Sequence, residues 1–378
     1  MLRRARLSVS VTFVLHATVS GTWAPRVPAL KAQAGLTDGE LGLALFGMAA
    51  GLLLGTRLAG APVDRYGSRP VLRIGVPLLA AALLLPALAH ALLPLAGGFL
   101  VVGFVSGVLD VAMNANGVEV ERALGRPILN GLHGLWSVGL GLGAAMAAIA
   151  AAAGAQPLTH FAIVGALIAA VSVPGLSGLL RPQPQSETAG EDGPGAASLL
   201  WSAAVLALGG IAFASFVGEG TASDWSAVYL REDLGTSAGL AAAGFGAFSV
   251  LMAASRFAGD RLSLLLGPVR LVRIGAATAA AGLGLGLAID EPAAVIAGFA
   301  LFGAGIAPVV PIAFSAAGRV GAAGSARVLG RVVTFGYVGS VLGPLVIGGL
   351  SELTSLRFAL LLPVALALAI AAGARGVA

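Results

Sequence analysis

Asp110 and Asn114 stand four residues apart in an otherwise apolar run, so on a helix they share one face a turn apart. A carboxyl group in an apolar interior is costly and needs a reason. It can gain and lose a proton as its surroundings alternate, or contact a polar solute directly. The plainer alternative is an aspartate fixed by hydrogen bonds to neighbouring helices. Arg26 lies between Pro25 and Pro28, which can open a helix and free backbone carbonyls. Its guanidinium could bind an anionic or hydroxyl-rich solute, pair with Asp224 or Glu219, or snorkel to the membrane surface. His16 and His133 are candidates for a proton relay, with helix-contact histidines as the alternative. Glu219 and Asp224, with Trp225 and Tyr229, bracket the end of the seventh apolar run. They read as an outer gate or as interfacial charges beside an aromatic belt. Trp23, Trp136, Phe213, Phe216, Phe314 and Tyr337 supply aromatic walls of the kind sugar and drug sites use, or packing.

Other chemistry is poorly supported. The chain has no cysteine, which removes disulfides and thiolate metal sites. No Gly-x-x-x-x-Gly-Lys-Ser/Thr loop is present, so ATP drive within the chain is unsupported. Gly175-Leu176-Ser177-Gly178 mimics an intramembrane serine-protease motif, but Ser177 has no evident histidine partner and His-Glu-x-x-His is absent. The expectation is no enzyme, no metal and no cofactor. The net charge of +5 is spread over short loops with no basic run interleaved with aromatics, so nucleic acid is not an expected partner.

The elements that position these residues follow from composition. Only 10% of the 378 residues are charged and 58% are hydrophobic, whereas an average soluble domain is about a quarter charged. Lipid must therefore be the solvent. A membrane-crossing helix needs roughly 20 mainly apolar residues. Twelve such runs are expected, near 7–30, 41–61, 71–92, 95–118, 129–153, 158–180, 199–220, 239–258, 271–289, 293–316, 329–350 and 355–374. With the N-terminus inside, only Lys31, Arg231 and Arg357 fall on the outer side and Arg26 falls within a span. All other basic residues lie at or near the cytoplasmic side. The polar stretch 181–198 reads as a cytoplasmic linker between a bundle at 1–180 and a second at 199–378.

The two halves repeat. Arg57-Leu58-Ala59-Gly60 recurs as Arg256-Phe257-Ala258-Gly259, offset 199, and Arg73-Ile74-Gly75 as Arg273-Ile274-Gly275, offset 200. Gly21-Thr22 matches Gly220-Thr221, and Gly139 and Gly143 match Gly339 and Gly343. Asp64-Arg65 with Gly67 is paralleled by Asp260-Arg261 with Gly267, at altered spacing.

Gly60, Asp64, Arg65, Gly67 and Arg69 resemble the loop signature of the major facilitator superfamily, with Ser68 where that family usually has arginine. Trp23-Ala24-Pro25-Arg26 and Asn130-Gly131-Leu132-His133 resemble its fucose-permease-like branch. The resemblance implies an all-α membrane protein of twelve transmembrane helices in two pseudo-symmetric six-helix bundles, functioning as a monomer. It implies a gate in which Asp64 faces the start of the eleventh span near Gly330 and Arg331, where exposed N–H groups favour an anion. Asp260 would mirror it at the start of the fifth span. Arg65, Arg69, Arg122 and Arg261 would add charge to that face.

The resulting expectation is a secondary transporter of the bacterial cytoplasmic membrane with both termini inside, moving a small solute past a midplane site. Protons are the expected coupling ion and Asp110 the expected carrier. Symport of a polar solute such as a sugar stands beside export of small molecules or drugs; a transport-inactive receptor is a remote third reading.

Overall fold

In lipid every backbone polar group must find its partner inside the protein, and an apolar run does so by becoming a helix. The computed structural model describes residues 1–36, 38–180, 200–320 and 326–378, and among them there is no strand. The expected linker at 181–198 lies outside the described residues. The first half runs α1 (Leu2–Trp23, continued through a tight 3-10 turn at Ala24–Arg26 into Val27–Ala34), α2 (Asp38–Tyr66), α3 (Ser68–Ala82, continued by Leu84–Ala87), α4 (Leu92–Leu124), α5 (Leu129–Ala152) and α6 (Pro157–Gly175). The second runs α7 (Ala203–Val228, continued by a π-helical segment at Tyr229–Asp233), α8 (Ala238–Leu266), α9 (Pro268–Ile289), α10 (Pro292–Ile306 and Val309–Ala317), α11 (Ala326–Leu353) and α12 (Leu356–Ala359 and Leu361–Gly373). Among the described residues eleven stretches are long and apolar enough to cross a membrane. The twelfth helix, α8, carries Arg256, Asp260 and Arg261 toward its C-terminal end, which lowers its hydropathy. α10 breaks at Pro308, whose missing N–H and fixed φ interrupt the ladder.

The helices settle the register of the repeat. Thr22 and Thr221, offset 199, each bond back to the carbonyl four residues earlier, Thr18 and Val217. Beyond the π-helical segment the offset is 200: Gly35 and Gly235 have φ 64° and 63°, and Gly67 and Gly267 have φ 83° and 75°. A π-turn accommodates one extra residue, while the 3-10 turn in α1 is wound tighter. α2 and α8 are therefore equivalent at offset 200, which corrects the 199 match of Arg57 with Arg256. Arg256 aligns with Thr56, and both are buried; Arg57 aligns with Phe257, and both are exposed.

Small residues set the helix crossings. A Cβ on Gly139 would lie 2.3 Å from the Val14 carbonyl oxygen, and one on Gly339 would lie 2.5 Å from that of Phe213. α5 thus meets α1, and α11 meets α7, backbone to backbone, as small-residue spacing allows.

The described residues divide into two compact units. Unit 1 holds 1–125, 135–180 and 326–330; unit 2 holds 126–134, 200–320 and 331–378. Each unit thus includes the first turns of a helix that belongs to the other sequence repeat.

Candidate functional site

In unit 1, Asp110 lies near the middle of the 33-residue α4 and is buried, as is Asn114 one turn on. The Asn114 amide donates to the Asp110 carbonyl at 2.9 Å and to its Oδ1 at 3.3 Å. One turn before Asp110, the Ser106 carbonyl lies 3.2 Å from His16 Nε2. Trp136 on α5 donates its indole N–H to His16 Nδ1 at 3.3 Å. With Nδ1 accepting, Nε2 carries the hydrogen that reaches Ser106, which is the arrangement of a neutral imidazole. His16 is therefore engaged on both nitrogens and joins α1, α4 and α5 one turn from the acid.

At the end of α2, Asp64 Oδ1 accepts from the Ala326 N–H at 2.8 Å, and Oδ2 lies 3.3 Å from Arg327 Nε. The contact falls about one turn before Gly330 and Arg331 because α11 starts at Ala326, ahead of the span expected from 329. A Cβ on Gly60 would lie 2.8 Å from Arg327 Cα, so only glycine lets α2 approach there. Gly67 (φ 83°) turns the chain into α3. Arg65 is exposed over the Tyr66 ring at 5.2 Å, and Arg69 donates to the Ser177 carbonyl at 3.3 Å. Ser177 caps its own helix end through the Pro174 carbonyl at 2.6 Å.

In unit 2, Asp260 accepts from the Asn130 N–H at 3.0 Å and the Gly131 N–H at 2.9 Å. These amides lie in the first turn of α5, where helix N–H groups lack intrahelical partners and the dipole favours an anion. In the helical register Asp260 stands where unit 1 has Gly60, one turn before the position of Asp64. Asn130 likewise stands where α11 has Gly330, one turn beyond Ala326. Acid and donor have both moved by a turn, so a contact survives the altered spacing.

Glu219 departs from its expected place at the outer end of the seventh span. The helix continues to Asp233, so Glu219 lies near the middle of a 31-residue stretch. Its Oε2 pairs with Arg256 at 3.1 Å, and Oε1 is buried without a partner. Arg256, expected at or near the cytoplasmic side, is buried in this pair. His133 on α5 is half-buried, its ring 5.9 Å from that of Phe314. Phe216 and Tyr337 meet edge-on at 5.3 Å.

Arg26 is buried and donates to the Ala155 carbonyl at 2.5 Å. Trp23 lies 5.2 Å from Phe99 in a tilted ring contact. Arg122 and Arg261 are exposed at helix ends.

Two clusters were missed from sequence. Ser68 donates to Glu119 Oε2 at 3.1 Å, and the Asn116 amide donates to Ser68 Oγ at 3.0 Å. The signal was Ser68 itself, which replaces a long cation in the loop signature with a short hydroxyl. In unit 2, Tyr229 donates to Asp290, which also pairs with Arg357 at 3.0 Å. Its signal was two opposite charges at helix ends, Asp290 after α9 and Arg357 at the start of α12.

These features define a multi-pass, all-helical membrane protein with polar clusters buried in both units. The chain belongs to the Major Facilitator Superfamily, whose sequence profile matches residues 9–326. It is 34% identical to an uncharacterized MFS-type transporter of Yersinia pestis, covering 98% of this chain and 95% of that one. It is 35% identical to the uncharacterized transporter y4wD of Sinorhizobium fredii, covering 92% of each. In fold it matches the crystal structure of FucP in the outward conformation, with a TM-score of 0.81 at 16% identity over 98% of both chains. The human organic anion transporter MFSD10 matches with a TM-score of 0.78 at 18% identity over 99% of both. The protein is an MFS transporter, not an enzyme.

Proposed function

We propose that the chain is a secondary active transporter that imports a small polar solute, such as a sugar, together with protons. The observation that carries this reading is the carboxyl group of Asp110, buried at mid-helix and hydrogen-bonded to Asn114. A carboxyl group buried in an apolar span can gain and lose a proton as its surroundings alternate between the two sides. FucP, the E. coli fucose:proton symporter, has the same fold and supports this choice of coupling ion.

In this reading two six-helix bundles, 1–180 and 199–378, rock about a midplane site and expose it alternately. The Asp64 and Asp260 contacts hold the cytoplasmic side shut in one state and release in the other. Glu219, His133 and Arg256 contribute polar groups from the second repeat, and His16 orients the helices around Asp110. The transporter works as a monomer in the bacterial inner membrane with both termini in the cytoplasm, as the arginine distribution favours.

The test is reconstitution in liposomes holding a pH dye, challenged with sugars, nucleosides, amino acids and drug-like cations. Solute-dependent proton entry that empty liposomes lack is the expected result. Solute movement with no proton flux, across several imposed pH gradients, would contradict the coupling.

A further inference from the structure

We infer that Arg26 and His160 form a buried binding site for an anionic group, of the carboxylate class, where α1 breaks and α6 begins. The site lies apart from the Asp110 cluster and does not depend on the transport reading.

Arg26 is 5% exposed and His160 is 4% exposed. Of the three guanidinium nitrogens, one donates to the Ala155 carbonyl, while Nε and Nη1 are buried with no partner. Both ring nitrogens of His160 are likewise buried with no partner. The two side chains meet at the same helix start: Arg26 is bonded to Ala155, and His160, one turn into α6, bonds through its backbone N–H to the Gln156 carbonyl at 3.1 Å. Arginine side chains stay charged in proteins. No described carboxylate lies within pairing distance of it. A buried cation without a counter-ion is strongly disfavoured. α6 starts one residue beyond Ala155's neighbour Gln156, with no side-chain cap on its first turn, so its partial positive end adds to the same field.

Unmet donors on Arg26, a ring nitrogen that can donate on His160 and the lack of a pairing acid among the described residues together describe a receptor for an external anion. A planar carboxylate has two oxygens to share between the guanidinium and the imidazole. Lys31 and Arg231, the other cations near that end of their helices, are not enclosed in this way.

The test uses the full-length protein purified in detergent at constant ionic strength. Its thermal unfolding midpoint is followed while acetate, gluconate, chloride or inorganic phosphate is titrated. The expected result is a saturable rise of several degrees with acetate and gluconate. Arg26→Gln abolishes the rise, His160→Phe weakens its concentration dependence about tenfold, and Arg26→Lys retains part of it. Because Arg26→Gln removes a buried charge, it is expected to fold; Arg26→Lys serves as the second variant if it does not. A rise equal in wild type and Arg26→Gln overturns the proposal, as does the absence of any saturable rise. A response to chloride or phosphate without one to the carboxylates overturns the carboxylate assignment. Proton coupling plays no part in this readout, so its failure leaves the transport reading untouched.

Discussion

The two units carry similar frames and different charges. Unit 1 buries an acid against an amide, Asp110 with Asn114, whereas unit 2 pairs its acid with a guanidinium, Glu219 with Arg256. The contacts at the helix starts differ in the same spirit. Asp64 combines one backbone amide with the Arg327 side chain, while Asp260 takes two backbone amides. The lesson is that duplication preserved where helices cross and left the polar groups free to specialise. An acid beside an arginine is needed charged to neutralise its partner.

That contrast makes the largest expected effect a change in unit 2. Glu219→Gln leaves Arg256 buried without its counter-ion, and we expect a loss of roughly 2–3 kcal/mol, less than for a fully buried pair. Asp110→Asn keeps the shape and the oxygen that accepts from Asn114, and should cost about 1 kcal/mol. Denaturant unfolding in mixed micelles compares the two directly, and equal losses would erase the distinction. The double variant Glu219→Gln/Arg256→Gln should recover most of the loss.

Next in size is Asp260→Ala, which strips acceptors from the Asn130 and Gly131 amides and should cost about 2 kcal/mol. Asp64→Ala should cost nearer 1 kcal/mol, since its pair with Arg327 is 43% exposed on the arginine side. Unfolding midpoints rank the two; the reverse order would contradict the different roles of backbone and side-chain donors.

The smallest effect is Arg327→Gln, about 0.5 kcal/mol at low salt and none at high ionic strength, because screening weakens an exposed pair. Asp260→Ala should show no such salt dependence. Moving the first acid into the second register, Gly60→Asp with Asp64→Leu, should fail to restore the contact. The added Cβ would meet Arg327 Cα, and the amide of Ala326 lies a turn away.

Much of this was legible in the residues. Twelve apolar runs separated by charged or Pro/Gly turns became helices close to the expected ranges, because hydropathy and backbone satisfaction in lipid leave no alternative. Asp110 stood out as an acid in an apolar run and lies at mid-helix. The place of Glu219 was misread because the seventh span was ended at 220, although Thr221, Ala222 and Ser226 could continue it and are buried. The burial of Arg256 was missed for a different reason. A one-residue error in register turns a helical side chain by about 100°, from the exposed face of Arg57 to the buried face of Thr56. The extra residue that causes it sits in a π-turn, which leaves no compositional trace in Tyr229–Asp233. The Ser68–Asn116–Glu119 and Tyr229–Asp290–Arg357 clusters depend on helix rotation, which counting spans does not provide.

The central claim is that Asp110 carries the coupled proton. With the solute that drives proton flux in the liposome panel, two rates should be compared for wild type and Asp110→Asn. One is accumulation driven by an imposed pH gradient; the other is exchange of labelled for unlabelled solute with no gradient. Coupling through Asp110 predicts that the variant loses accumulation yet keeps exchange, since the loaded carrier still reorients when its acid is permanently neutral. Accumulation that survives in Asp110→Asn would contradict the account and place the proton on another group.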